Sequence, residues 1–163
     1  MHMTADSAID NASLVHDICR CFREKQLAEI VNLLSDDFKL RVLLPTDTDD
    51  EIRPRSRAEV ALLAHASMGE FDILRFEPHD IALNGDMISS VAHVKFRHKK
   101  TGKELETQFQ HAWRAADGKI CALEQTHDLK VLSDYADSIE AVAREQSQQG
   151  QVGSAPRTAS GRA

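Results

Sequence analysis

The sequence predicts an α+β fold: a cone-shaped, curved, mixed or antiparallel sheet packed on three helices from the N-terminal half, with one further helix after the sheet. Three observations predict it. Apart from one alternating stretch, Phe38 to Leu44, apolar residues recur at helical spacing as far as about Met68. After Gly69 the period drops from 3.6 to 2 and stays there until about Leu132. The later strands each carry one apolar and one polar face, so their sheet must lay a single face on the helices.

The elements follow in order. Ile9 to Phe22 places Val15, Ile18, Cys19 and Phe22 on one helical stripe, with Asp10 or Asn11 able to cap it. Leu27, Ile30, Val31 and Leu34 stand at i, i+3, i+4 and i+7, a short amphipathic helix ending near Ser35. Phe38, Leu40, Val42 and Leu44 alternate with Lys39 and Arg41 in a strand stopped by Pro45, and an acidic loop over 46–51 follows. Ser56 and Glu59 form a capping box that starts a third helix, running to about Met68. Four strands come next, near 71–83, 86–98, 104–116 and 119–131, as a meander. Ser133 and Asp134 cap a last helix bearing Tyr135, Ile139 and Val142. Residues 9–145 thus make one domain. From 146 to 163 the chain is Gln, Ser, Gly, Ala, Pro, Thr and Arg with Val152 as its one large apolar residue, which predicts a disordered tail.

A length of 163 residues, 42% of them hydrophobic, suits one domain with one core. Twenty basic against 26 acidic residues leave a net charge of −6, which predicts no nucleic-acid partner and no anionic membrane partner. Cys19, Cys21 and Cys121 make neither a disulfide framework nor a zinc set and read as small buried thiols. With Asp6 and Asp10 where a secretory leader needs apolar residues, the expected location is cytoplasmic.

Strand parity says which side chains meet. Phe109, His111 and Trp113 share a face opposite Gln108 and Gln110; Cys121, Leu123, Gln125 and His127 share one opposite Glu124 and Thr126; and Ala92, Val94, Phe96 and His98 share one opposite Lys95 and Arg97. A two-residue Asp117-Gly118 turn would set odd positions against even ones and expose one apolar face. The expected turn is therefore a three-residue loop, Ala116 to Gly118, aligning His111 with Leu123 and Thr107 with His127. A curved sheet in this register encloses a cone with a few polar atoms among apolar walls, the composition of a small-molecule pocket.

The order of elements, the stretch Leu27-Ala28-Glu29-Ile30-Val31 followed by Ser35-Asp36-Asp37-Phe38, and the hairpin from His111 to Ile120 resemble the nuclear transport factor two-like superfamily, nearest to its SnoaL-like and ketosteroid-isomerase-like members. The resemblance covers about Ile9 to Val142. It implies a homodimer packed through the outer sheet face and a superfamily range from isomerases, cyclases and hydrolases to non-catalytic binding or assembly domains. Aligned on Ser35-Asp36-Asp37-Phe38, the isomerases' base aspartate falls at Val42, their tyrosine donor at Ile18 and their protonated aspartate at His111. Two of the three roles are gone and the third has changed type, which argues against that isomerase mechanism while leaving SnoaL-like chemistry open.

His111 is the candidate catalytic residue, a hydrogen-bonding group or general base on the inner face, against the alternative of a core histidine satisfied by a neighbour. Phe96, Phe109, Trp113, Leu123, Gln125 and His127 are the candidate ligand-binding residues. In the expected register His111 and His127 stand four positions apart, about 13 Å at ~3.3 Å per residue, so no shared metal is expected. Asp47, Asp49, Asp50 and Glu51 lack the glycine and distal glutamate of a calcium loop and read as a solvated loop. No cofactor motif is present. The inner positions of the last three strands hold no carboxylate or arginine, which disfavours the Asp-Arg-Asp set of the superfamily's epoxide hydrolases; Asp37 and Asp72 remain candidate acids, though Asp37 more simply ends a helix and Asp72 more simply faces water. The expected function is binding of a small apolar or amphipathic molecule, with His111-assisted isomerisation or cyclisation of a carbonyl-containing substrate; the alternative is a non-catalytic ligand-binding or assembly module.

Overall fold

The computed structural model describes residues 5–43, 51–52, 54 and 56–152. Its elements are α1 (Ala5–Arg23), α2 (Leu27–Leu33), β1 (Leu34–Leu43), β2 (Glu51–Ile52), α3 (Arg57–Glu70), β3 (Phe71–Asn84), β4 (Met87–His98), β5 (Glu104–Ala116), β6 (Lys119–His127) and α4 (Leu129–Val152). The α+β class and the helix layout are as the periodicity predicts. Leu44, Pro45 and the acidic loop lie outside the described residues, apart from the Glu51–Ile52 backbone, which pairs antiparallel with Leu43 and Val42.

The α1 stripe buries Val15 and Cys19 completely, and burial of the Val15 side chain alone contributes roughly 1.5–3 kcal/mol. Lys25, at φ 58°, turns the chain from α1 into α2, and its Nζ donates to the Met68 and Phe71 carbonyls, tying that turn to the end of α3. At the start of α3 the Ser56 hydroxyl accepts from the Glu59 amide at 3.2 Å, the expected cap. Leu34 closes the α2 stripe but is already the first residue of β1, which begins four residues before Phe38.

The strands of the described residues form one mixed sheet in the order β2-β1-β6-β5-β4-β3. β1 runs parallel to β6, and the β3–β6 meander is antiparallel throughout. The β5–β6 connection differs from the expected three-residue loop. Ala116 pairs with Lys119 across a two-residue turn in which Asp117 (φ 52°) and Gly118 (φ 73°) are both left-handed, the geometry whose twist matches a hairpin. Parity is restored one step later: Ala115 pairs with Ile120 and Arg114 with Ala122, leaving Cys121 as an extra residue in β6. Ile120 is fully buried, whereas Cys121, expected on the core face, is partly exposed. Beyond the bulge Trp113 faces Leu123, His111 faces Gln125 and Phe109 faces His127.

β6 ends at His127, four residues before the expected boundary. Asp128 caps α4 by accepting from the Val131 amide at 3.1 Å, and Asp134, expected as a cap, pairs with Lys130 within the helix. Leu129 is consequently exposed and Leu132 packs on the core. The helix continues to Val152, so the first residues assigned to a disordered tail, from Gln146, are exposed helix instead; 153–163 lie outside the described residues.

Candidate functional site

The inner face of the sheet and the helices enclose a cavity of 510 Å³, in the size range of drug-sized ligand sites. All seven candidate residues line it: His111, together with Phe96, Phe109, Trp113, Leu123, Gln125 and His127. So do Ile18 and Val42, the positions where the isomerase pattern would need a tyrosine and an aspartate. Both are apolar here. None of the described lining residues is Asp, Glu, Lys or Arg.

His111 is 3% exposed. Its Nε2–H donates to Gln125 Oε1 at 2.9 Å, a bond made possible by the Cys121 bulge, which brings the two residues face to face. With the proton on Nε2, Nδ1 carries a lone pair, and that atom is buried with no hydrogen-bond partner among the described residues. Phe76 stacks on the ring at 6.0 Å between centroids and Trp113 presents an edge at 5.0 Å. Burial in this aromatic surround lowers the pKa from 6.5 to about 4; the Gln125 bond opposes the shift, and electrostatic repulsion from the neighbouring His127 ring adds to it. At neutral pH the ring is an uncharged imidazole.

Trp113 is 2% exposed and satisfies its indole by donating to Ser90 Oγ at 2.9 Å. The observed register sets His127 opposite Phe109, one diagonal step from His111 rather than four positions away, so the ~13 Å separation of the expected register is replaced by roughly 7–8 Å between Cα atoms. Among the described residues no group of His, Cys, Asp and Glu is placed to hold a metal ion.

His98, also inward on β4, does not line the cavity. Its Nδ1 bonds with Thr101 in the β4–β5 turn and its Nε2 lies 3.4 Å from Glu70, which makes it a packing histidine. Asp37 lies on β1 rather than ending a helix and accepts from Ser35, and Asp72 pairs with Arg97 at 2.9 Å. Neither lines the cavity.

Tyr135 and Leu132 of α4 and Phe71 of β3 line the cavity and escaped the sequence reading. Tyr135 was legible as part of an apolar helical stripe, but which way that stripe faces depends on where α4 begins. Its hydroxyl donates to the Lys103 carbonyl at 2.9 Å, fastening α4 beside the β4–β5 turn.

A curled sheet wrapped on helices around an apolar cone is the architecture of the NTF2-like proteins. A Burkholderia xenovorans NTF2-like protein aligns with TM-score 0.64 at 17% identity over 77% of this chain and 95% of its own. Within that class the chain belongs to the SnoaL-like domain family, whose match spans residues 15–123. IdmH of Streptomyces antibioticus, a candidate polyketide cyclase, aligns with TM-score 0.66 at 17% identity over 78% of this chain and 98% of its own. An LEH-like epoxide hydrolase of M. tuberculosis aligns with TM-score 0.64 at 12% identity over 78% and 89%. At these identities the likeness is one of fold. No curated protein matches the sequence.

Proposed function

We propose that this protein binds a small, uncharged, largely apolar molecule in the cone, with His111 as its principal polar contact. The supporting observation is a 510 Å³ cavity whose described lining holds no Asp, Glu, Lys or Arg and includes a neutral imidazole with one bare nitrogen. A cofactor plays no part in this reading.

The second reading is proton transfer, as in isomerisation or cyclisation of a carbonyl-containing substrate. The Gln125 bond favours it, because fixing the Nε2–H tautomer leaves Nδ1 as a positioned base. A conjugate acid at about 4 restricts such a base to protons already acidified by neighbouring carbonyl groups. The likeness to a candidate polyketide cyclase accords with such a substrate.

Titration with N-phenyl-1-naphthylamine, followed through the emission of the protein's one tryptophan, tests the binding reading. Saturable binding that weakens when Leu123→Arg places a charge in the cavity supports it. Absence of saturable binding leaves the assembly-module alternative. His111→Gln separates binding from catalysis, since a glutamine keeps polarity and much of the volume but moves no proton near pH 7. It retains the ligand in either case and abolishes turnover where turnover exists.

We further propose a homodimer formed through the outer sheet face. There Lys95 is paired with Glu104 at 3.2 Å, Arg97 with Asp72 at 2.9 Å and Arg75 with Glu106 at 3.0 Å. Charges already paired within one chain lower the desolvation penalty of laying that face against its own copy.

A further inference from the structure

We infer that the occupant of the cone carries a hydroxyl donor, a phenol or an enol, and delivers it to the Nδ1 lone pair of His111. This inference rests on the ligand-binding function proposed above and specifies its chemistry.

The argument starts from which polar groups of the wall are already engaged. The Trp113 indole N–H is used by Ser90, the His111 Nε2–H by Gln125 and the Tyr135 hydroxyl proton by the Lys103 carbonyl. Besides the Gln125 amide nitrogen, the Ser67 hydroxyl and the His127 ring, the wall presents Nδ1 of His111, a buried acceptor with no hydrogen-bond partner among the described residues. The ring cannot readily turn to hide that atom, because Phe76 stacks on its face, Trp113 abuts it and Gln125 holds its far nitrogen. An apolar ligand that expels water from this corner leaves the lone pair orphaned, which is unfavourable. A ligand presenting a carbonyl oxygen there sets lone pair against lone pair.

At Nδ1 itself the polarity is the reverse of an oxyanion hole, which needs donors aimed at a developing negative oxygen. A carboxylate fares worse still, since none of the described lining residues is Lys or Arg and the His111 imidazole is neutral. A hydroxyl on an otherwise apolar, flat ligand satisfies Nδ1 while its body lies against Phe76, Phe96 and Phe109.

The test compares three probes of one shape: 2-naphthol, 2-methoxynaphthalene and 2-naphthoate, each titrated into the full chain at pH 7. The expected result is that 2-naphthol binds about tenfold tighter than 2-methoxynaphthalene, the worth of one buried acceptor satisfied rather than orphaned, and that 2-naphthoate binds more weakly than either. In ¹⁵N-labelled protein the proton of His111 should reside on Nε2, and the Nδ1 resonance should move on adding 2-naphthol but not on adding the ether. His111→Phe should bring the naphthol-to-ether ratio to about one; the wild-type series and the nitrogen shifts stand without that variant.

Equal binding of naphthol and ether would overturn the hydroxyl requirement while leaving cavity binding intact. A proton found on Nδ1 would overturn it as well, since the site would then offer a donor. Failure of all three probes to bind up to their solubility limits would overturn the binding function itself, and this inference with it.

Discussion

Gln125 faces His111 across the β5–β6 ladder, its Oε1 2.9 Å from the ring Nε2, because one extra residue, Cys121, interrupts β6 below them. The pairing fixes which ring nitrogen holds the proton, so altering Gln125 should alter the titration of His111. Gln125→Glu sets a carboxylate against Nε2 and should raise the imidazole pKa from about 4 toward its ordinary 6.5. An NMR titration of the His111 ring measures this. An unchanged midpoint would show that the two side chains are not paired in solution.

The buried imidazole also predicts how stability depends on pH. Its folded-state pKa is about 4 against an ordinary 6.5, so between those values the unfolded chain holds a proton at this site that the folded chain does not. Stability is therefore fully present above pH 6.5 and declines as pH falls toward 4, by roughly 3 kcal/mol in all at 1.36 kcal/mol per pH unit. His111→Gln removes this contribution. Urea unfolding of both proteins at pH 7 and at pH 4.5 should show the wild type losing roughly 2–3 kcal/mol more than the variant. Equal losses would mean that His111 is already solvated in the folded state.

Ser90→Ala should cost roughly 1–3 kcal/mol, because the indole N–H it serves belongs to a side chain only 2% exposed. The urea midpoint should fall with little change in slope. A midpoint equal to wild type would mean that the indole finds another acceptor.

Sedimentation equilibrium at micromolar concentration should give about twice the 18.2 kDa chain mass. Arg97→Glu, which repels Asp72 and spoils the pairing on the outer face, should shift the equilibrium toward monomer. A wild-type mass of one chain would remove the dimer proposal.

Truncation after Glu145 should leave the melting temperature within a degree or two, since every described side chain from Gln146 to Gln151 is exposed. A drop of many degrees would show that this turn of α4 docks.

The element order and the inward faces were legible in the sequence because both rest on periodicity, which needs no tertiary information. Phe109, His111 and Trp113 face inward by alternation alone, and the structure keeps them there. Register was a different matter. Parity correctly required one compensating residue in the β5–β6 hairpin, but a bulge inside β6 satisfies parity as well as a longer loop does, and Asp117-Gly118 suits the tight turn. The choice moved His111's partner from Leu123 to Gln125, and with it the hydrogen bond that defines the site. The start of α4 was missed for a similar reason: Asp128 fits both the outer face of a strand and a helix cap, and the alternation of Leu129 and Val131 concealed the change of period.

The parallel pairing of β1 with β6 also has a kinetic consequence. Each hairpin of the meander closes between chain neighbours, whereas the β1–β6 contact, including the Arg41–Glu124 bond, joins residues 83 apart in sequence. Chain-closure entropy places such a contact late in folding. Phe38, Leu40 and Val42 of that late-forming contact are also part of the cavity wall around His111. The cavity wall is thus closed by a contact between distant parts of the chain, and the cone is complete only when β1 has docked on β6.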